Sequence, residues 1–225
     1  MSTDTIKIII ADDHTIMRDG LRSLLEKQLD IKPIAEADNG RKTLKLVQEL
    51  KPDVVIMDIS MPDLNGIEAT RQIKKETPGV KVIALSMHSD KHFVTEMLKA
   101  GASGYLLKHC AFEELSNAIQ AVVNNRSYLS PEITGIVLKD LFHNNDKGSK
   151  VDKKVNNPLT GREREILQLL AEGKTIKETA SDLNLSIKTI ETHKQHIMDK
   201  INLHTIAELT KYAIIEGLTT LEKTP

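Results

Sequence analysis

Over the first 125 or so residues, short runs of apolar residues alternate with stretches in which apolar positions recur every three or four residues. The runs at 6–11, 32–37, 54–58, 80–86 and 104–107 carry few polar interruptions, the pattern of strands buried on both faces. The intervening stretches 17–27, 41–50, 67–75, 91–99 and 112–124 have the helical period. Parallel neighbours need a crossover, and helices cover the faces of the sheet they cross. Five consecutive strand–helix units therefore predict an α/β domain, a five-stranded doubly wound parallel sheet, over residues 1–125.

The pattern changes after that point. Ser130-Pro131 can open a helix over 131–142, and a polar, lysine-bearing run at 144–157 reads as a linker, so 126–157 is expected to connect two domains. From 158 to 225 the chain is expected to be a small all-α domain. Thr160 caps a helix ending at 172, and further helices span 176–183, 187–201 and 206–216. Ile166, Leu169 and Leu170 form an apolar stripe on the first, and Gly173 supplies its C-terminal cap. In the third, Ile187, Ile190, Ile197 and Ile201 recur on one side. The opposite side and its flanks hold Lys188, Thr189, Glu191, Thr192, His193, Lys194, Gln195 and His196, groups suited to phosphates and base edges. A short helix, a three-residue turn and a polar-faced helix make a helix-turn-helix arrangement.

Charge alone would not suggest nucleic acid. The chain has 31 Lys and Arg against 32 Asp and Glu, and from Pro158 onward the count is nine against ten. The DNA reading therefore rests on helix pattern and local placement. The single cysteine, Cys110, excludes an intrachain disulfide and fits a reducing compartment. The early apolar run at 8–11 is too short for a signal-peptide core or a membrane span, so a cytoplasmic location is expected.

In an open parallel sheet the ligand site lies at the carboxyl ends of the strands. Asp12 and Asp13 end the first strand, Asp58 the third and Ser86 the fourth, while Lys108 follows the fifth. Three neighbouring carboxylates repel one another unless a cation offsets them, and all-oxygen ligation suits a hard ion such as Mg2+. Asp12 and Asp13 are the natural metal holders. Asp58 is then a carboxylate nucleophile for a phosphoryl group, with Lys108 screening the equatorial oxygens and Ser86 donating a hydrogen bond. His88, His92, His109 and Cys110 have no short metal-ligand spacing and read as solvated side chains.

The segments around Asp12-Asp13-His14, Met57-Asp58 through Gly66, Ala84-Leu85-Ser86 and Gly104-Tyr105 to Lys108 resemble, in order and spacing, the four signature segments of response-regulator receivers. The resemblance implies a flavodoxin-like receiver in which Asp58 accepts phosphate from a sensor histidine kinase. It implies that Mg2+ is held by Asp12, Asp13, Asp58 and the backbone carbonyl of Ser60, that Lys108 contacts the phosphoryl group, and that Ser86 and Tyr105 form a switch pair. Residues 159–213, above all 186–193 and 198–203, resemble the LuxR-type DNA-binding domain of the NarL/FixJ subfamily. That likeness makes 187–201 the recognition helix and has the last helix, around Leu209 and Ala213, pair two domains. The expected protein is a transcription regulator acting as a dimer on inverted or paired half-sites, with RNA polymerase a further partner and no enzymatic role beyond slow self-phosphorylation and dephosphorylation. An aspartate-nucleophile phosphatase of the haloacid-dehalogenase type is the enzyme alternative, but it needs an acid two residues past the nucleophile, where this chain has Ser60. A receiver serving only as a protein-contact scaffold stays open on sequence.

Overall fold

The computed structural model describes residues 5–87, 89–109, 112–146 and 159–220; His88, Cys110 and the 147–157 part of the expected linker lie outside the described residues. The chain divides into two compact units, Met1–Gly148 and Ser149–Pro225.

The first unit runs β1 (Ile6–Ala11), α1 (Thr15–Leu25), β2 (Ile31–Ala37), α2 (Gly40–Leu50), β3 (Val54–Met57), α3 (Gly66–Glu76), β4 (Lys81–Ser86), α4 (Lys91–Lys99), β5 (Gly104–Leu107), α5 (Phe112–Val123), β6 (Tyr128–Leu129) and α6 (Pro131–Asp146). The sheet order is β2-β1-β3-β4-β5-β6, and every pairing is parallel. Because side chains alternate along a strand, successive strand residues feed two cores. Ile9, Val55, Met57, Val82, Ala84 and Tyr105 pack with Val47, Ile73, Val94 and Met97 on one face. Ile8, Ile10, Ile56, Ile83, Leu85 and Leu106 pack with Leu21, Leu25, Leu115 and Ile119 on the other. Pro33, which cannot donate to a ladder, sits on the edge strand β2 beside a register shift between Ile8 and Ile9.

The sheet has six strands where five were expected. Tyr128 and Leu129 pair with Gly104 and Tyr105, flanked by bonds from Tyr128 N–H to the Ser103 carbonyl and from Ser130 N–H to the Tyr105 carbonyl, both 3.1 Å. A two-residue strand has no periodicity to read, so only its partner reveals it. The helix expected over 131–142 is α6; its Ile133 is fully buried in the α4-side core, with Ile136 and Val137 packed against it. These residues belong to the first unit.

The second unit is helical: α7 (Gly161–Ala171), α8 (Ile176–Asp182), α9 (Ile187–Ile201) and α10 (Ile206–Ile215). Three of the four helices open with a T-x-x-E capping box, at Thr160/Glu163, Thr175/Glu178 and Thr205/Glu208. Each cap satisfies amide groups that would otherwise be orphaned, a contribution of about 1 kcal/mol apiece. The central helix α7 buries Ile166, Leu167, Leu169 and Leu170 against Ile190, Ile197, Leu209 and Ala213. Gly173, just past its end, has φ +90, the left-handed cap expected there. Among the described residues no helix is long and apolar enough to cross a membrane.

Candidate phosphoacceptor site and nucleic-acid interface

The ends of β1 and β3 are adjacent, so the residues that follow them meet at the centre of the sheet's carboxyl edge. The Asp58 N–H donates to the Ala11 carbonyl at 2.8 Å, which extends the ladder one step and aligns Asp58 with Asp12. The Asp58 side chain is held in turn by the Ile59 N–H on its Oδ1 at 2.8 Å. Lys108, just beyond β5, reaches across to both carboxylates, its Nζ lying 2.8 Å from Asp12 Oδ2 and 2.9 Å from Asp58 Oδ2. All three side chains are buried.

The loop from Asp58 to α3 is pinned by the Gly66 N–H on the Ile59 carbonyl at 2.9 Å and by Asn65, whose side chain accepts from the Glu68 N–H at 2.9 Å. Gly66 is required by close approach: a Cβ built there would stand 1.9 Å from the Asp58 carbonyl oxygen. Gly66→Ala is expected to destabilise the first unit by about 1–3 kcal/mol and to slow any chemistry at Asp58, because backbone must shift to relieve the overlap. Gly135→Ala, where a Cβ meets nothing within 4 Å, is expected to be neutral or stabilising by up to about 1 kcal/mol. Thermal melts of the two variants check the contrast.

Burial, reinforced by Asp12 and Asp13, pushes the Asp58 carboxyl up to about 6 despite Lys108. Burial alone would lower Lys108, but Asp58 and Asp12 outweigh it and hold the ammonium above its usual value. Tyr105 is fully buried on the same edge. Burial raises its phenol well above the ordinary range against the opposing effect of a hydrogen bond with Ser86, which is itself buried at the end of β4.

Asp12, Asp13, His14 and Asp58 each offer a donor atom, and these atoms lie within 4.8 Å of one another. Asp13 Oδ1 is buried and makes no hydrogen bond, although His14 Nδ1 stands 2.9 Å away at ion-pair distance. A buried carboxylate oxygen without a hydrogen bond, beside two more carboxylates, is a donor set that a hard divalent cation satisfies. The residues present therefore fit Mg2+. Ser60 follows in the loop and is half-buried.

In the second unit, α8 and α9 are joined through Asn184, which adopts φ +51, and Ser186, whose hydroxyl accepts from the Thr189 N–H at 3.1 Å. Lys200 donates to both oxygens of Glu163 at 2.7 Å, tying α9 to the start of α7. Lys188, Glu191, Thr192, Gln195 and His196 are exposed on α9; Thr189, His193 and Lys194 are half-buried beside them. Thr192 bonds back to the Lys188 carbonyl at 2.9 Å and Gln195 to Asp199 at 2.8 Å.

Two family models cover the chain: the response regulator receiver domain over residues 8–120 and the luxR family of bacterial regulatory proteins over residues 157–213. The chain belongs to the response regulators of the LuxR-type, or NarL/FixJ, group. It is similar to the oxygen regulatory protein NreC of Staphylococcus carnosus, at 37% identity over 95% of this chain and 99% of that one. It is 33% identical to the transcriptional regulatory protein DegU of Brevibacillus brevis over 96% of each. Its structure resembles that of the response regulator RcsB in complex with DNA, with a TM-score of 0.58, 28% identity, and 92% and 97% of the two chains covered. This response regulator is thus a DNA-binding regulator of transcription controlled by phosphorylation of its receiver.

Two sequence expectations about the helical unit are corrected. Ile187 is 49% exposed and is not part of the apolar stripe that Ile190 and Ile197 bury. As the first residue of α9 it lies outside the apolar cluster of the unit. Leu209 and Ala213 are interior to the unit, packed on α7, and offer no surface for pairing. The large apolar side chains exposed on α10 are Ile206 and Ile215, at 47% and 63%. The residue that sequence reasoning missed at the acidic site is His14; its position directly after Asp12-Asp13 was the available signal.

Proposed function

We propose that Asp58 is the phosphoacceptor of this response regulator, that the protein works in the cytoplasm and that a sensor histidine kinase is its phosphoryl donor. A carboxylate oxygen of Asp58 attacks phosphorus; the new O–P bond forms as the bond from phosphorus to the donor imidazole nitrogen breaks, and that nitrogen keeps the electron pair. When bound, Mg2+ supplies charge neutralisation for the transferring oxygens, held by Asp12, Asp13, Asp58 and the Ser60 carbonyl. Lys108 screens the equatorial oxygens, and Ser86 turns its hydroxyl toward the phosphoryl group, with Tyr105 as its switch partner. The observation that supports this reading above the others is Lys108 reaching two buried carboxylates at 2.8 and 2.9 Å beside a third. Incubation with Mg2+ and acetyl phosphate, followed by intact mass, tests it. One phosphoryl group per chain is expected, while fast phosphate turnover without a stable adduct would point to the phosphatase and no reaction to a scaffold.

On the same reading, residues 187–201 enter a major groove and two chains bind paired or inverted half-sites as a dimer, with RNA polymerase contacted from DNA. The DNA complex of the relative RcsB supports this use of the helical unit. Lys194, on the flank, contacts phosphate, so Lys194→Ala is expected to weaken all sequences alike and to lower the salt slope by about one. Thr192 and Gln195, on the exposed face, read bases. Substituting them is expected to change sequence preference by about 1–3 kcal/mol per position, measured by selection from random DNA; an unchanged preference would reassign both.

A further inference from the structure

His14 is the N-cap of α1, with an extended backbone and no side-chain capping bond, so its ring is not committed to the helix. The loop is held instead by its backbone N–H, which donates to Asp12 Oδ1 at 2.9 Å. The side chain is 60% exposed, yet its Nδ1 lies 2.9 Å from Asp13 Oδ1 and 3.1 Å from Asp12 Oδ1. Cis donors around an octahedral ion with bonds of about 2.1 Å are about 3.0 Å apart, and trans donors about 4.2 Å. Both spacings match a cis edge. The full set of four donors, within 4.8 Å, needs only a contraction of a few tenths of an ångström at its widest.

Lys108 occupies Oδ2 of Asp12 and of Asp58. Oδ1 of Asp12 accepts from the His14 N–H and lies at hydrogen-bond distance from the His14 ring, and Oδ1 of Asp58 accepts from the Ile59 N–H, so an ion would share these oxygens with those donors beside the Asp13 carboxylate. The Asp13 side chain is nine-tenths buried and its Oδ1 makes no hydrogen bond. The ring nitrogen therefore sits at the open side of a three-carboxylate cluster with one vacant acceptor. Mg2+ prefers oxygen and water, whereas imidazole raises affinity for cobalt, nickel, copper and zinc.

We propose that His14 is a nitrogen ligand at the mouth of the acidic cluster, so that a first-row transition cation such as Co2+ binds through four protein donors and is favoured there over Mg2+. The inference rests on the reading of the cluster as a cation site and adds a selectivity that three carboxylates alone do not supply. The competing account makes the ring a cationic partner of Asp12 and Asp13, in which case removing it would strengthen or leave unchanged the binding of both ions.

Calorimetric titration of the full chain with Mg2+ and, separately, with Co2+, compared with His14→Ala and His14→Gln, decides between them. An exposed ring with no capping role can be replaced without threatening the fold. Both substitutions are expected to weaken Co2+ on the order of tenfold or more, to leave Mg2+ within about twofold, and to shift the visible absorption of the Co2+-loaded protein. Equal changes for both ions, or an unaltered Co2+ spectrum, would overturn the role of His14. Failure of the wild-type chain to bind Mg2+ would instead overturn the magnesium reading. A selective Co2+ loss on substituting His14 would still support the inference in that case.

Discussion

Asp58→Asn is expected to take up no phosphoryl group from acetyl phosphate in Mg2+, while the wild-type chain gains one. The amide keeps the shape of the carboxylate and can still accept from the Ile59 N–H, but it lacks the charged oxygen that attacks phosphorus. The same substitution has a second expected effect that an unfolded or misfolded variant could not mimic. In the folded state burial and Asp12 raise the Asp58 carboxyl from 3.8 to about 6. Between these values the folded chain holds a proton that the unfolded chain has released. The stability associated with Asp58 is therefore full below about pH 4, falls as pH rises toward 6, and is flat above it. In EDTA, Asp58→Asn escapes that fall and is expected to exceed the wild type above pH 6 by on the order of 1–3 kcal/mol, with Lys108 still paired to Asp12. Urea unfolding of both proteins at several pH values reads this directly; a wild-type-to-variant gap that is the same at pH 4 and pH 7.5 would remove the raised carboxyl from the account.

Phosphorylation is expected to raise affinity for a paired site by a factor of about 100 to 10,000, while changing affinity for a single half-site by less than about threefold. Nine cations against ten anions from Pro158 onward leave few counterions to release on binding, so one helical unit should bind one half-site weakly. Joining two units makes the second contact intramolecular, and half-sites about 34–36 Å apart place two recognition helices in successive major grooves. The apolar surface available on α10 for that pairing is Ile206 and Ile215. Ile215→Lys is accordingly expected to reduce the gain on paired sites and to spare the single half-site. Titration of both DNAs with the full chain, with and without acetyl phosphate, is the measurement. An equal gain on the two DNAs would replace pairing with the release of a masked recognition helix.

Much of this is legible in the sequence. Asp12, Asp13, Asp58, Ser86 and Lys108 were expected at one rim because each ends or follows a strand, and strand ends in a parallel sheet lie on one edge. α9 keeps the bounds read from its periodicity, Ile187–Ile201, since Ser186 caps it locally and the turn before it is short. What escaped was contact-dependent. Tyr128 and Leu129 become a strand only beside β5, and the exposure of Ile187 depends on which residues of α9 its neighbours cover. The place of His14 at the acidic site is set by its ring nitrogen standing within ion-pair distance of two carboxylates.

The sequence by itself determined the alternation of strands and helices, the identity of the acidic rim and the polar face of α9. Periodicity and caps are properties of residues a few positions apart. Only the tertiary structure decided that Leu209 and Ala213 are core while Ile206 and Ile215 are surface, because a helix shows its apolar stripe in sequence but not which part of it a neighbour covers. Only the structure decided that a side chain at Gly66 meets a steric conflict, since the carbonyl it would collide with belongs to Asp58, eight residues away. Lys108 and Asp12 are 96 positions apart in sequence and 2.8 Å apart in space, and the charge balance of the site follows from that second distance alone.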